Sequence, residues 1–225
     1  MARPRGGGGE VSGRLVRVGL GGLIASGKSS LAAALASNVE LQEAIGGAVE
    51  HVDADALLRT ARSTDVSLRD AILAVVPDAR RADGSLDSAL LAARAFADPA
   101  VMHRLEDLQW PVVRQAISEA SRDAQARGVR LLLVEAIALG RSGLAEELDG
   151  SLSLHVDEAV RRDRFASRGG NEEDFQVRNA AQAGIAAEMA GIGAIRIDGS
   201  GPLPETVHAA SLVLRRLCLQ GESTD

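Results

Sequence analysis

A chain of 225 residues, 46% of them hydrophobic, has room for one packed domain with an insertion and not for two full enzyme domains. Its net charge of −6 excludes the broad basic footprint of a nucleic-acid binder, and no apolar run approaches the roughly 20 residues of a membrane helix, so small-molecule partners are expected. Residues 1–13 are rich in Gly and Arg and lack an apolar stretch, which reads as a disordered leader and not a secretory signal; a cytoplasmic protein is expected.

The first element after this leader is a short apolar strand, Arg14–Leu20, followed by a glycine-rich loop and an Ala- and Leu-rich helical stretch, Ser29–Ser37. The loop, Gly22 to Ser29, reads G-L-I-A-S-G-K-S, and strand, loop, helix is the context in which such a P-loop holds nucleoside triphosphate phosphates. Gly22, Ala25, Ser26, Gly27, Lys28, Ser29 and Ser30 are the expected nucleotide contacts. Backbone N–H groups at the helix start bind phosphate, Lys28 neutralises the transferring group, and Ser29 ligates Mg²⁺. Of the 25 lysines and arginines, Lys28 is the only lysine. A compact ammonium fits a tight loop where a planar guanidinium does not, so the composition itself argues that the loop works.

Val49–Ala54 reads as a second strand ending in Asp53-Ala54-Asp55. Ligands collect at the carboxyl ends of strands in open α/β sheets, so these carboxylates are candidates for a general base and a metal or water ligand. Both face the crevice if the strand runs through Asp55; alternatively one is the N-cap of a helix beginning at Ala56. Helical stretches follow at about 56–75, 86–98 and 100–127, so residues 57–127 read as a helical insertion suited to covering a substrate. Arg130–Glu135 is a buried third strand, and Glu135 either holds a magnesium-bound water or only ends its strand. Ser151–Val156 and Ala194–Ile197 are weaker strands, separated by helices at 158–168 and 172–190 and followed by one at 204–220. Strands alternating with helices predict a mostly parallel sheet covered on both faces.

Arg161, Arg162, Arg164 and Arg168 precede Gly169-Gly170, and arginines on such an element either close over phosphates or form a solvated face with nearby acids. His51, His103, His155 and His208 lack metal-ligand spacing, no structural metal is expected, and Cys218 reads as a buried small hydrophobe.

Several of these segments together resemble the dephospho-CoA kinase family. The resemblance rests on Gly19–Ser30, on Asp53-Ala54-Asp55 followed by Arg59, on Asp83–Asp98, on Met102–Pro111 and on Arg161–Gln182 with its R-x-x-x-R-G and R-x-x-x-Q spacings. It implies an α/β fold, nucleotide-kinase-like within the P-loop NTPases: a parallel five-stranded sheet flanked by helices, with a helical substrate-binding insertion and a short lid. A single domain over 14–225 follows, with its core in 14–56, 128–157 and 190–220, the acceptor-binding insertion in 57–127 and the lid near 158–175. It implies ATP and Mg²⁺ as cofactors and transfer of phosphate to the ribose 3′-hydroxyl of dephospho-CoA by a monomer. Asp55 is then the base, with Asp53, Arg59, Arg104 and Glu106 near the substrate, Arg164 and Arg168 at the lid, and Ser29, with Glu135, at the metal. The sequence departs from the family at Ala25, where glycine is usual, at Ser88, at Trp110, and along Ala136–Arg141, which lacks the family's proline and glutamate. These departures leave room for a kinase of another small alcohol or nucleotide, or for a non-catalytic ATP-binding paralogue.

Overall fold

The computed structural model describes residues 13–220; residues 1–12, on which most of the expected leader falls, lie outside the described residues. Five strands alternate with helices: β1 (Val16–Gly22), α1 (Lys28–Ala36), α2 (Val39–Ile45), β2 (Val49–Asp53), α3 (Ala54–Thr64), α4 (Val66–Val75), α5 (Ser88–Ala97) and α6 (Pro99–Ala126). Then come β3 (Leu131–Glu135), β4 (Gly150–His155), α7 (Glu158–Ser167), α8 (Glu172–Ala181), α9 (Ile185–Gly191), β5 (Ile195–Asp198) and α10 (Leu203–Gln220). The strands form one sheet in the order β2-β3-β1-β4-β5, and every pairing is parallel.

Side-chain alternation along β3 shows how the sheet is buried on both faces. Leu131 and Leu133 enter the cluster built with Leu31 and Leu35 of α1 and with Ala210, Leu214 and Cys218 of α10. Leu132 and Val134 enter the opposite cluster, with Val113, Ile117 and Ala124 of α6 and with Ile185 and Met189 of α9. A third cluster, Leu68, Ile72, Leu73, Leu91, Ala95 and Leu105, packs α4, α5 and α6 against one another away from the sheet.

Helix starts follow from local chemistry. Asn38, Asp53, Asp65, Asp87, Asp98 and Asn171 each accept a hydrogen bond from an N–H two or three residues on, which fixes where α2, α3, α4, α5, α6 and α8 begin. These caps also correct two boundaries. The helical stretch expected over 56–75 is two helices, because Asp65 ends α3 and caps α4. The stretch expected over 172–190 breaks around Gln182, between α8 and α9.

Because the order reverses across the sheet, with β3 and β4 on either side of β1, the loop after β1 opens into the crevice at the carboxyl ends of the central strands.

Candidate active site

The loop between β1 and α1 is shaped by three unusual backbone positions. Gly22 has φ 153° and Gly27 has φ 94°, and a Cβ on Gly22 would stand 2.8 Å from the Leu154 carbonyl oxygen. Ala25, with φ 58°, is the one non-glycine residue at positive φ among the described residues. Ser26 N–H closes a turn onto the Leu23 carbonyl at 3.1 Å. Unlike its capped neighbours, α1 begins on Gly27, which offers no side chain to its leading N–H groups. Those donors point out of a helix N-terminus with the positive end of its dipole, the arrangement that takes an anion.

Lys28 lies in the first turn of α1 with its ammonium folded over the loop, donating to the carbonyls of Gly22 (2.9 Å) and Leu23 (3.4 Å). Burial holds its pKa below the ordinary lysine value, against the opposing pull of Glu135, Asp55 and Asp53. Ser29 follows, and its hydroxyl donates to Glu135 Oε1 at 2.8 Å. Glu135 ends β3 directly opposite Asp53 in the register with β2, and its Oε2 lies 3.1 Å from His51 Nε2. Burial drives the Glu135 carboxyl up, but the hydrogen bonds from His51 and Ser29 and the charge of Lys28 outweigh it and hold the group below its usual range. A serine hydroxyl and an ionised carboxylate side by side are hard oxygen donors, and they fit a magnesium ion.

The two aspartates after β2 take different positions. The strand stops at Asp53, whose Oδ1 accepts from Ala56 N at 3.0 Å, so Asp53 is the N-cap and the helix begins at Ala54 and not at Ala56. Asp55 therefore sits in the first turn of α3 and not on the strand, which replaces the expected i, i+2 geometry. Asp53 Oδ2 also pairs with Arg59 Nη2 at 3.6 Å. Burial, and then the neighbouring Asp53, raise the Asp55 pKa, with Lys28 pulling the other way. Asp55 lines a narrow crevice with Ala54, Leu58, Trp110, Val113 and Arg114. A carboxylate whose proton affinity is raised by an apolar wall and a like charge is suited to accept a proton.

Arg164 of α7 reaches over the loop, donating to the Ser26 carbonyl at 3.0 Å and to the Gly199 carbonyl at 2.9 Å. Arg164 and Arg168 line a cleft of about 170 Å³ with Ser26, Gly27, Ser30 and Gly199. Arg162 instead pairs with Glu158 and Glu172 on the surface. Two further candidates stand apart. Arg104 is exposed on α6. Glu106 is tied to Arg141 Nε at 3.1 Å, and Arg141 Nη1 reaches Glu188 of α9 at 3.5 Å.

Sequence reasoning gave Asn179 no role, set His51 aside as lacking metal-ligand spacing, and met Gln182 only as the end of the R-x-x-x-Q spacing. Period-two alternation puts His51 on the same side of β2 as Asp53, and that was the available signal. Gln182 Oε1 accepts the Ile24 N–H at 2.6 Å, a tertiary contact that no local pattern announces.

A central parallel sheet, a phosphate loop with its lysine and serine, and acids at the adjoining strand ends define a P-loop kinase acting on a small molecule. Residues 16–200 match the family model described as dephospho-CoA kinase. The chain belongs to the dephospho-CoA kinase family. It is 35% identical over 185 residues to a dephospho-CoA kinase of Anaeromyxobacter dehalogenans, spanning 77% of this chain and 83% of the relative. It is 32% identical over 203 residues to that of Deinococcus radiodurans, spanning 89% and 92%. Among solved structures, TT1252 from Thermus thermophilus aligns with a TM-score of 0.71 at 26% identity, covering 91% of this chain and 98% of that one. Dephospho-CoA kinase from Campylobacter jejuni, at 16% identity and a TM-score of 0.57, shares the fold over 92% of this chain and 99% of its own. The protein is thus a kinase that transfers phosphate to a hydroxyl group of a small molecule, and ATP use goes with the family. No helix among the described residues is long and apolar enough to cross a membrane.

Proposed function

We propose that this chain phosphorylates the ribose 3′-hydroxyl of dephospho-CoA with MgATP, giving coenzyme A and ADP. The observation that carries the reading is the placement of a half-buried Asp55, with its raised proton affinity, in the same charge cluster as Lys28 and Glu135. In the reaction Asp55 takes the proton of the 3′-hydroxyl as that oxygen attacks the γ-phosphorus. The bond from the γ-phosphorus to the bridging oxygen breaks, and the electron pair leaves with ADP. The loop N–H groups hold the phosphates, and Lys28 swings from the Gly22 and Leu23 carbonyls to the transferring group.

Ser29 and Glu135 would hold Mg²⁺, which would supply positive charge against the phosphates. Arg164 and Arg168 add positive charge on the lid side, where charge spreads over the transferring phosphoryl oxygens. Residues 57–127 serve as the acceptor-binding unit and 158–175 as the lid of a single domain over 14–225, acting as a cytoplasmic monomer. Arg59 supports the reading by its pairing with Asp53 beside the base, whereas Glu106 acts through Arg141 and Arg104 stands on the outer face of α6.

ADP release measured with dephospho-CoA, adenosine and nucleoside monophosphates tests the acceptor. Dephospho-CoA should be turned over far faster than the rest; turnover of a nucleoside or nucleotide with none of dephospho-CoA would overturn the assignment.

A further inference from the structure

Ile24 is held from outside the phosphate loop on both of its backbone polar groups. Its N–H donates to Gln182 Oε1 at 2.6 Å, just past the end of α8, and its carbonyl accepts from Arg161 Nη1 of α7 at 3.4 Å. Arg161 is itself fixed. It is 4% exposed, its Nε donates to the Val156 carbonyl at 3.2 Å, and its Nη1 donates to Asn179 Oδ1 at 2.8 Å. Its guanidinium lies 5.7 Å from the centre of the buried Phe175 ring. The two peptide units that flank Ile24 are thus each tied from outside the loop, the one before it by a neutral hydrogen bond and the one after it by a charged one, and neither can rotate without breaking its bond.

The residue that follows is Ala25, at φ 58°. In that region a Cβ crowds the next carbonyl, and an alanine left to itself moves back to negative φ. Such a rotation would turn the peptides after Ala25, and with them the N–H groups that lead into α1. The alternation of right- and left-handed residues is what makes successive N–H groups converge on an anion.

We propose that Gln182, acting with Arg161, is a positioning residue for nucleotide binding: by holding the peptides on either side of Ile24 the pair keeps Ala25 left-handed and the loop donors aimed at phosphate. Asn179 contributes by orienting Arg161. The helices on the lid side thereby set the shape of the loop beneath them, and nucleotide affinity depends on side chains that touch no phosphate. The inference rests on Gly22–Ser29 being the nucleotide site and is independent of which acceptor is phosphorylated.

Calorimetric titration with ADP, without acceptor, tests it on the full chain, with the melting temperature recorded for each variant. Gln182→Leu removes the acceptor oxygen and should weaken ADP about tenfold, while Gln182→Glu, which keeps an oxygen at the same reach, should stay within about threefold of the parent. In an Ala25→Gly background, where left-handed backbone is free of strain, the Gln182→Leu penalty should fall to about threefold or less. Gln182→Asn, withdrawn by one methylene, should weaken ADP as the leucine variant does and serves if the latter does not fold. Parental ADP affinity in Gln182→Asn or Gln182→Leu, a glutamate variant as weak as the leucine one, or an undiminished penalty in the Ala25→Gly background would overturn the proposal. Lys28→Ala in the same titration separates the two claims: it should weaken ADP about tenfold or more by removing the loop's one side-chain charge, and parental ADP affinity there would overturn the nucleotide-site reading itself.

Discussion

Lys28 carries a charge that burial disfavours, and three carboxylates, Glu135, Asp55 and Asp53, hold it in place. Its ammonium donates to the carbonyls of Gly22 and Leu23, which an incoming phosphate oxygen would replace as a stronger charged partner. Lys28→Met should therefore cut kcat by about 10²–10³-fold, the range for loss of a donor aimed at developing charge, read by ADP release. Asp55 is the counterpart. Its folded-state pKa is raised, so it binds its proton more tightly when folded; the stability this gives is complete below the unfolded pKa and is lost as pH rises through the folded one. At neutral pH the ionised carboxylate is thus a destabilising group kept for chemistry. Asp55→Asn should melt at a higher temperature than the parent at pH 7, with the advantage shrinking as pH falls, while phosphoryl transfer drops by at least 10²-fold. The parent's kcat/KM should fall toward acid with a midpoint above the ordinary aspartate value of about 3.9.

At the scale of elements, the junction of β2 and α3 does two jobs with one side chain. Asp53 ends the strand, caps the helix through Ala56 N–H, and puts a like charge beside Asp55. Asp53→Ala should cost about 1 kcal/mol of stability, by denaturant unfolding, and should also move the acid limb of the rate profile to lower pH, since the like charge is gone. The junction also shows what the residues announce and what they do not. The loop was legible because glycine, lysine and serine are each demanded by phosphate at fixed spacing. The sheet was legible because β3 is apolar from Leu131 to Val134, as expected of a strand buried on both faces. The end of β2 was not, because an aspartate in a D-A-D run is equally able to continue a strand face or to cap a helix. The break at Asp65 was announced by the weak helix formers Ser63, Thr64 and Val66 around a capping aspartate, a signal hidden by the good helix formers on either side.

Over the whole molecule, the site is assembled from segments far apart in sequence. The loop meets Gln182 and Arg161 from the α7–α8 side, Glu135 from β3 and Asp55 from α3, while Arg141 links Glu106 of α6 to Glu188 of α9. Contacts of this kind depend on the finished fold, so neither the strand alternation at His51 nor the R-x-x-x-Q spacing that ends at Gln182 announced which partner each would meet. The family resemblance supplied the order of the segments but no pairing: Glu106, expected near the substrate, is engaged by Arg141, a residue within the stretch that departs from the family. The acceptor is where the whole arrangement is tested. The most direct measurement is the ³¹P NMR spectrum of the product formed from ATP and dephospho-CoA by the parent chain and by Asp55→Asn. A new phosphate monoester on the ribose 3′-oxygen, formed by the parent and lost in the variant, is the predicted result. Phosphate appearing elsewhere, or no product from dephospho-CoA while another alcohol is phosphorylated, would contradict it.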